Sequence, residues 1–170
     1  MNNKNPFLAG AGLIPEAKLK AGGEALIKEW GGELLHHSCD EDPIETLQRL
    51  PEFLGLVLLE GDPALTRGQE GTWIEALGAW RQPIVLLTSP MDSGEISGSA
   101  RAYGALCKEL CVPLLGVVQV GGPWKPEIRR VEELPWCGCI NIQVNYQGRI
   151  NTMQDQDEIK EIVNMLKERL

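Results

Sequence analysis

The sequence predicts an α/β protein in which a mostly parallel central sheet is flanked by helices on both faces, in three layers. Three short runs consist almost entirely of Leu, Ile and Val: "LGLVLL" (54–59), "PIVLL" (83–87) and "VPLLGVV" (112–118). Such runs are typical of strands that are buried on both faces, as in parallel sheets. Segments with helical periodicity separate these runs, and strands that alternate with helices favour a parallel sheet with right-handed crossovers.

Shorter signals predict the remaining elements in order. Further strands are expected at Phe7–Ala9, Glu33–His36 and Cys137–Val144. Apolar residues at helical spacing predict helices at 17–30, 43–50, 72–80, 97–110 and about 152–169. The last helix has the clearest pattern, because Asp155 and Asp157 precede its apolar stripe and Lys167 and Arg169 follow it.

Length and charge limit the classes of protein and partner. The chain has 170 residues, which predicts one domain spanning 1–170. Its net charge of -8 argues against nucleic acid and anionic lipid as partners. The apolar runs are too short to span a bilayer, and the N-terminus lacks the apolar core of a signal peptide. We therefore expect a cytoplasmic protein with reduced cysteines.

Glycines follow the first predicted strand, in "AGAGLIPEAK" (9–18), where a parallel sheet would bind its ligand. Gly10 and Gly12 would let the backbone approach an anion at the start of the next helix. However, Pro15 lacks an N–H group, and Glu16 places a negative charge where a phosphate would lie. Lys18 and Lys20 are expected to point in different directions from that helix. The glycines therefore predict either an ordinary turn or an anion or nucleotide contact.

The third predicted strand ends in the most suggestive segment, "LLEGDPALTRGQEGT" (58–72). A buried strand delivers Glu60 to its tip, Gly61 allows a sharp turn, and Asp62 follows. Carboxylates in that position can hold magnesium or accept a proton. The polar residues that continue the loop, including Arg67 and Gly68, fit a functional loop or a capped polar connection equally well.

Three other strand ends carry candidate residues. The segment "HHSCDEDP" (36–43) allows a metal site or, as the simpler interpretation, a solvated loop that caps the next helix. Ser93 and Gly94 could bind an anion, or Ser97 or Ser99 could simply cap a helix there. Gln119 could contact the hydrogen-bonding edge of a ligand. The five cysteines show neither a Cys-x-x-Cys spacing nor a local His partner, which argues against thiol catalysis.

From Leu54 to Ile140 the chain resembles dethiobiotin synthetase and its relatives among the P-loop amidoligase-like proteins. The motifs that carry the resemblance occur in the family's order: "LLEGDP", "QPIVLL", "SGEISGSA", "VPLLGVV" and "LPWCGCI". The resemblance implies a P-loop-NTPase-like sheet. It implies that Glu60 and Gly61 match a Glu-Gly pair that lies close to magnesium and substrate, and that Gly94 and Ile96 match a loop and helix start. Gln119 stands where the family usually has an adenine-contacting Asn.

The same resemblance implies a degenerate nucleotide site. The family's phosphate-loop Lys and Thr have no counterpart here, and "LLHHSCDED" (34–42) lacks the Lys that follows the second strand. ATP-driven ligation needs neutralised phosphates, so loss of these residues predicts loss of the reaction. We expect no required cofactor, with Mg-ATP as the nucleotide that the family would use.

These observations predict a non-catalytic or regulatory domain that binds a small ligand or a protein partner, with a homodimer as one form of partnership. Trp124 and Trp136 lie near loops and could mark a partner surface, whereas Trp30, Trp73 and Trp80 are predicted to pack in the core. The alternative is a metal-assisted ATP-dependent ligase or another enzyme that uses Glu60 with Asp62 or Asp92. A structural subunit of a larger complex is the third possibility.

Overall fold

Six parallel strands form the central sheet of the protein. The computed structural model describes residues 5–12, 14–50, 53–66, 71–144, 150–152 and 156–170. In sheet order the strands are β2 (Glu33–Ser38), β3 (Gly55–Glu60), β1 (Phe7–Gly10), β4 (Ile84–Thr88), β5 (Leu114–Val120) and β6 (Trp136–Ile140). All five pairings between neighbours are parallel. The predicted α/β class with a parallel sheet is therefore confirmed.

Helices cover both faces of this sheet. They are α1 (Glu16–Trp30), α2 (Pro43–Arg49), α3 (Trp73–Ala79), α4 (Gly98–Glu109), α5 (Pro126–Val131) and α6 (Gln156–Glu168). Side chains alternate along β1, so Leu8 packs with residues of α1 and α6, whereas Phe7 and Ala9 pack with residues of α2, α3 and α4. Two buried apolar layers result, one on each face, which confirms the three-layer arrangement.

The sheet order places β1 between β3 and β4. The chain leaves β1 toward the β2 edge of the sheet, and it leaves β4 toward the opposite edge. Parallel α/β sheets bind ligands beyond the carboxyl ends of the strands where such a change of direction occurs. A ligand-binding site is therefore expected at the loops that follow β1, β3 and β4.

Three details differ from the sequence predictions. The segment predicted as one strand at 137–144 is divided at Asn141, a residue type that is depleted in strands, and β7 (Ile142–Val144) pairs antiparallel with β8 (Ile150–Thr152) instead. The C-terminal helix begins at Gln156 rather than at about 152, because Thr152 ends β8. Trp80 was predicted in the core but is 40% exposed, because it follows the end of α3.

Trp73 is buried as predicted. Among the residues that the structure describes, no helix has the length and apolar character needed to cross a membrane.

Candidate functional site

A pocket of about 540 Å³ lies beyond the carboxyl ends of β1 and β3. It brings together four residues that the sequence singled out, namely Gly12, Glu60, Gly61 and Asp62. The remaining wall comes from the loop before α1, from α1 and from α4: Ile14, Glu16, Leu19 and Tyr103. The pocket therefore combines an apolar side with three carboxylates and one phenol.

Glu60, the last residue of β3, is held between two basic side chains. His36 Nδ1 lies 2.7 Å from Glu60 Oε1, and Lys20 Nζ lies 3.4 Å from Glu60 Oε2. Lys20 also contacts Glu16 at 2.6 Å. The hydrogen bond with His36, reinforced by Lys20, holds the pKa of the Glu60 carboxyl below its usual range although partial burial opposes the shift. Glu60 is therefore an oriented, ionised carboxylate.

The second carboxylate, Asp62, is also oriented by its neighbours. Its Oδ1 accepts hydrogen bonds from Tyr103 Oη and, at 2.9 Å, from the backbone N–H of Ala64. Burial, together with the hydrogen bond to Asp62, raises the pKa of Tyr103 well above its ordinary value. The phenol thus stays protonated and fixes Asp62 as a hydrogen-bond acceptor at the pocket wall.

On its side toward α4, the glycine loop after β1 is packed against protein. Gly12 has φ of +88°, and a Cβ built on it would lie only 2.2 Å from Ser99 Oγ. Ser99 Oγ donates to the carbonyl of Ala11 at 2.9 Å, so the first turn of α4 sits against the loop. Ile14 N also donates to Gly12 O. Of the two interpretations, this packing favours turn glycines; Leu13 lies outside the described residues.

The two lysines of α1 diverge, as predicted. Lys18 Nζ donates to Ser89 Oγ at 2.8 Å beyond β4, whereas Lys20 is engaged by Glu16 and Glu60. A P-loop lysine would point into the loop after β1. Here carboxylates dominate the space beside that loop.

The structure does not bring the other predicted site residues into this pocket. Ser93 and Gly94 form a turn in which the Ser93 hydroxyl contacts Glu95, and the Gly94 carbonyl accepts from Arg129 at 3.0 Å. Gln119 is fully buried, and its amide nitrogen donates to three carbonyls in the turn that follows β5. Its oxygen accepts from Arg129. Gln119 therefore presents no exposed atom to a ligand.

Arg129 is a buried, charged residue that the sequence did not single out. It is 2% exposed and binds Gln119, Gly94 and Glu132, and its guanidinium lies 5.9 Å and 5.3 Å from the ring centroids of Trp124 and Trp136. These contacts tie the turns beyond β4 and β5 to α5. The only sequence signal was an Arg in a short segment that begins with Pro126 and carries no apolar stripe.

The loop that follows the second strand caps the next helix. Asp42 caps α2 by accepting from Ile44 N at 2.8 Å, and His37 contacts Glu41 at 2.6 Å. Within the described ranges, no group of three or more His, Cys, Asp and Glu side chains could hold a metal ion. Thr72 caps α3 in a reciprocal arrangement with Glu75, while Arg67 and Gly68 lie outside the described residues.

The cysteines have structural environments. All five are described, and no disulfide joins them. Burial raises the pKa of the Cys107 and Cys139 thiols to about 11, so neither forms a reactive thiolate near neutral pH.

No protein-family model matches this chain, and comparison with curated proteins gives no significant match. The resemblance to dethiobiotin synthetases therefore stays a prediction that rests on the motifs quoted above.

Proposed function

We propose that this chain is a non-catalytic or regulatory α/β domain that binds a small ligand in the pocket beyond β1 and β3. The observation that carries the proposal is the convergence of Gly12, Glu60, Gly61 and Asp62 on that one pocket. In this proposal the chain is a divergent relative of dethiobiotin synthetases whose nucleotide site has degenerated.

The charge of the pocket favours a particular class of ligand. Glu16, Glu60 and Asp62 outnumber Lys20 at its rim, so a phosphate would meet net negative charge. An organic cation, or a molecule rich in hydroxyl donors, would instead find oriented carboxylate acceptors. Ile14 and Leu19 would contact the aliphatic part of such a ligand.

The electrostatics also favour binding over acid–base chemistry. A general base works best when its pKa lies near the working pH, whereas the pKa of Glu60 is lowered and that of Tyr103 is raised away from neutrality. Both groups keep one protonation state and so serve as fixed acceptor and donor.

Thermal denaturation with two probes tests the proposal. Putrescine, a short aliphatic diamine, should raise the melting temperature in a saturable way, and Glu60→Gln should weaken this response. Glu109→Gln is the matched control, because it removes an equal charge at the exposed end of α4.

The two probes also separate the proposal from its main alternative. Mg-ATP should cause no saturable rise. A rise with Mg-ATP that disappears in Glu60→Gln would favour the ATP-dependent enzyme, and no response to putrescine would contradict the cationic class of ligand.

A further inference from the structure

Strand β2 forms one edge of the sheet, and its outer side is open in the part of the chain that the structure describes. The N–H group of Glu33, the first residue of β2, donates to the Leu54 carbonyl at 3.1 Å, and that of Cys39, directly after β2, donates to the Glu60 carbonyl at 2.8 Å. Main-chain direction alternates along a strand, so the N–H and C=O groups that point outward belong to Leu34, His36 and Ser38. The Ser38 carbonyl accepts from the Glu41 N–H at 3.1 Å, so Leu34 and His36 form the segment suited to pairing. Outward-pointing groups on an edge strand are a template for pairing with another strand.

The surface beside this edge is partly apolar. A groove of about 480 Å³ runs between β2 and α2, and Leu35, Leu50 and Phe53 form its apolar lining. Leu35 is 36% exposed, and Ile44 on α2 is 40% exposed. Burying these side chains would add apolar contact to any strand pairing along the edge.

The pattern of side chains along β2 is complementary to itself. If a second β2 runs antiparallel about a two-fold axis at Leu35, the two Leu35 side chains face each other. Glu33 then faces His37 of the second copy in a non-hydrogen-bonded pair. Leu34 faces His36 of the second copy, and these two residues exchange main-chain hydrogen bonds. A two-fold interface requires this kind of self-complementarity, whereas pairing with an unrelated strand does not require it.

Helix α2 lies beside the edge and carries charges of both signs. Its Glu45 and Arg49 are exposed, lie one turn apart and pair with each other at 2.5 Å. The acidic residues at 40–42 follow the end of β2 and lie outside the paired segment.

We propose that two copies of this chain associate through antiparallel pairing of their β2 strands, which joins the two sheets into one. This inference goes beyond the proposed ligand-binding function. It also connects to the pocket, because His36 lies on β2 and holds Glu60 at the pocket wall.

A cysteine cross-link tests the register of the pairing. Facing Leu35 residues would form a non-hydrogen-bonded pair with Cα atoms about 4.5 Å apart, which suits a disulfide. Leu35→Cys in a Cys111→Ser background, which removes the exposed native thiol, should therefore form a covalent dimer under mild oxidation. Val131→Cys in the same background is the control, because Val131 is 74% exposed on α5. Cross-linking of Leu35→Cys no faster than the control would overturn the proposal.

Charge exchange tests the pairing without a covalent bond. Sedimentation equilibrium of the wild type should show a dimer. Glu33→Lys and His37→Glu should each raise its dissociation constant by roughly 2- to 30-fold, since two symmetry-related pairs are lost, and the double variant should restore it. A wild-type monomer throughout the micromolar range, or a double variant weaker than both single variants, would refute the interface. Circular dichroism of each variant confirms that the fold is retained.

Discussion

Gly12→Ala is the sharpest test of the filled loop after β1. An added Cβ would lie 2.2 Å from Ser99 Oγ and 2.5 Å from Ser99 Cβ, and the residue would also keep a φ of +88°. Gly31→Ala is the matched control. Its φ is +89°, yet no atom lies within 4 Å of the added Cβ, so it measures backbone strain without a clash.

The expected magnitudes follow from these two terms. Strain at a positive φ costs about 1–2 kcal/mol for a residue with a Cβ, and both variants share this cost. Forcing a methyl group into filled space costs about 1–3 kcal/mol more, and only Gly12→Ala incurs it. The lower unfolded-state entropy of Ala is common to both and cancels. We therefore expect Gly12→Ala to lower the free energy of unfolding by about 1–3 kcal/mol more than Gly31→Ala does.

A double-mutant cycle assigns the extra cost to Ser99. Ser99→Gly removes both clashing atoms and the hydrogen bond to Ala11, so alone it should be destabilising. In that background Gly12→Ala should lose its clash cost, which gives a coupling energy of about 1–3 kcal/mol in urea unfolding. If the two changes are additive, or if Gly12→Ala costs no more than Gly31→Ala, the loop is not packed against α4.

Three further outcomes are expected. His36 and Lys20 lower the folded-state pKa of Glu60, so its interactions contribute stability above the pKa of an unfolded-state Glu, and this stability is lost as pH falls through the folded pKa. His36→Ala should raise the pKa of Glu60 in an NMR titration. Arg129→Met leaves the buried partners of Arg129 without their hydrogen bonds, so it should lower the free energy of unfolding by about 3–5 kcal/mol in denaturant. The exposed Arg130→Met should lower it by about 0.5 kcal/mol or less. Thr72→Ala removes the cap of α3 and should cost about 1 kcal/mol in the same assay; an unchanged midpoint would contradict it.

The sequence predicted the interior of the fold better than its margins. β3, β4 and β5 are buried on both faces, so their residues had to be apolar at every position and the runs were visible. The region after β6 lacks this constraint. β7 and β8 pair with each other outside the main sheet. β7 was predicted only as the end of a longer strand at 137–144, and no apolar run distinguished β8 from the start of α6.

The same contrast holds for the candidate site. Glu60 and Asp62 were predicted because a buried strand followed by acidic residues is a local pattern. Their partners His36, Lys20 and Tyr103 come from three other elements, and sequence distance hides such contacts. Gln119 shows the converse, because its position at a strand tip was visible but its burial against Arg129 was not.

The partners of Glu60 also change what the glycine loop means. In a phosphate site a lysine neutralises the anion beside the helix N-terminus. Here Lys20 lies on that helix but neutralises Glu16 and Glu60 instead, and Ser99 occupies the space next to Gly12. Phosphate binding at this position would therefore require freeing a lysine and removing a serine side chain together. The local charge and packing both oppose a phosphate, and they agree with the proposed binding of a cationic ligand by carboxylates.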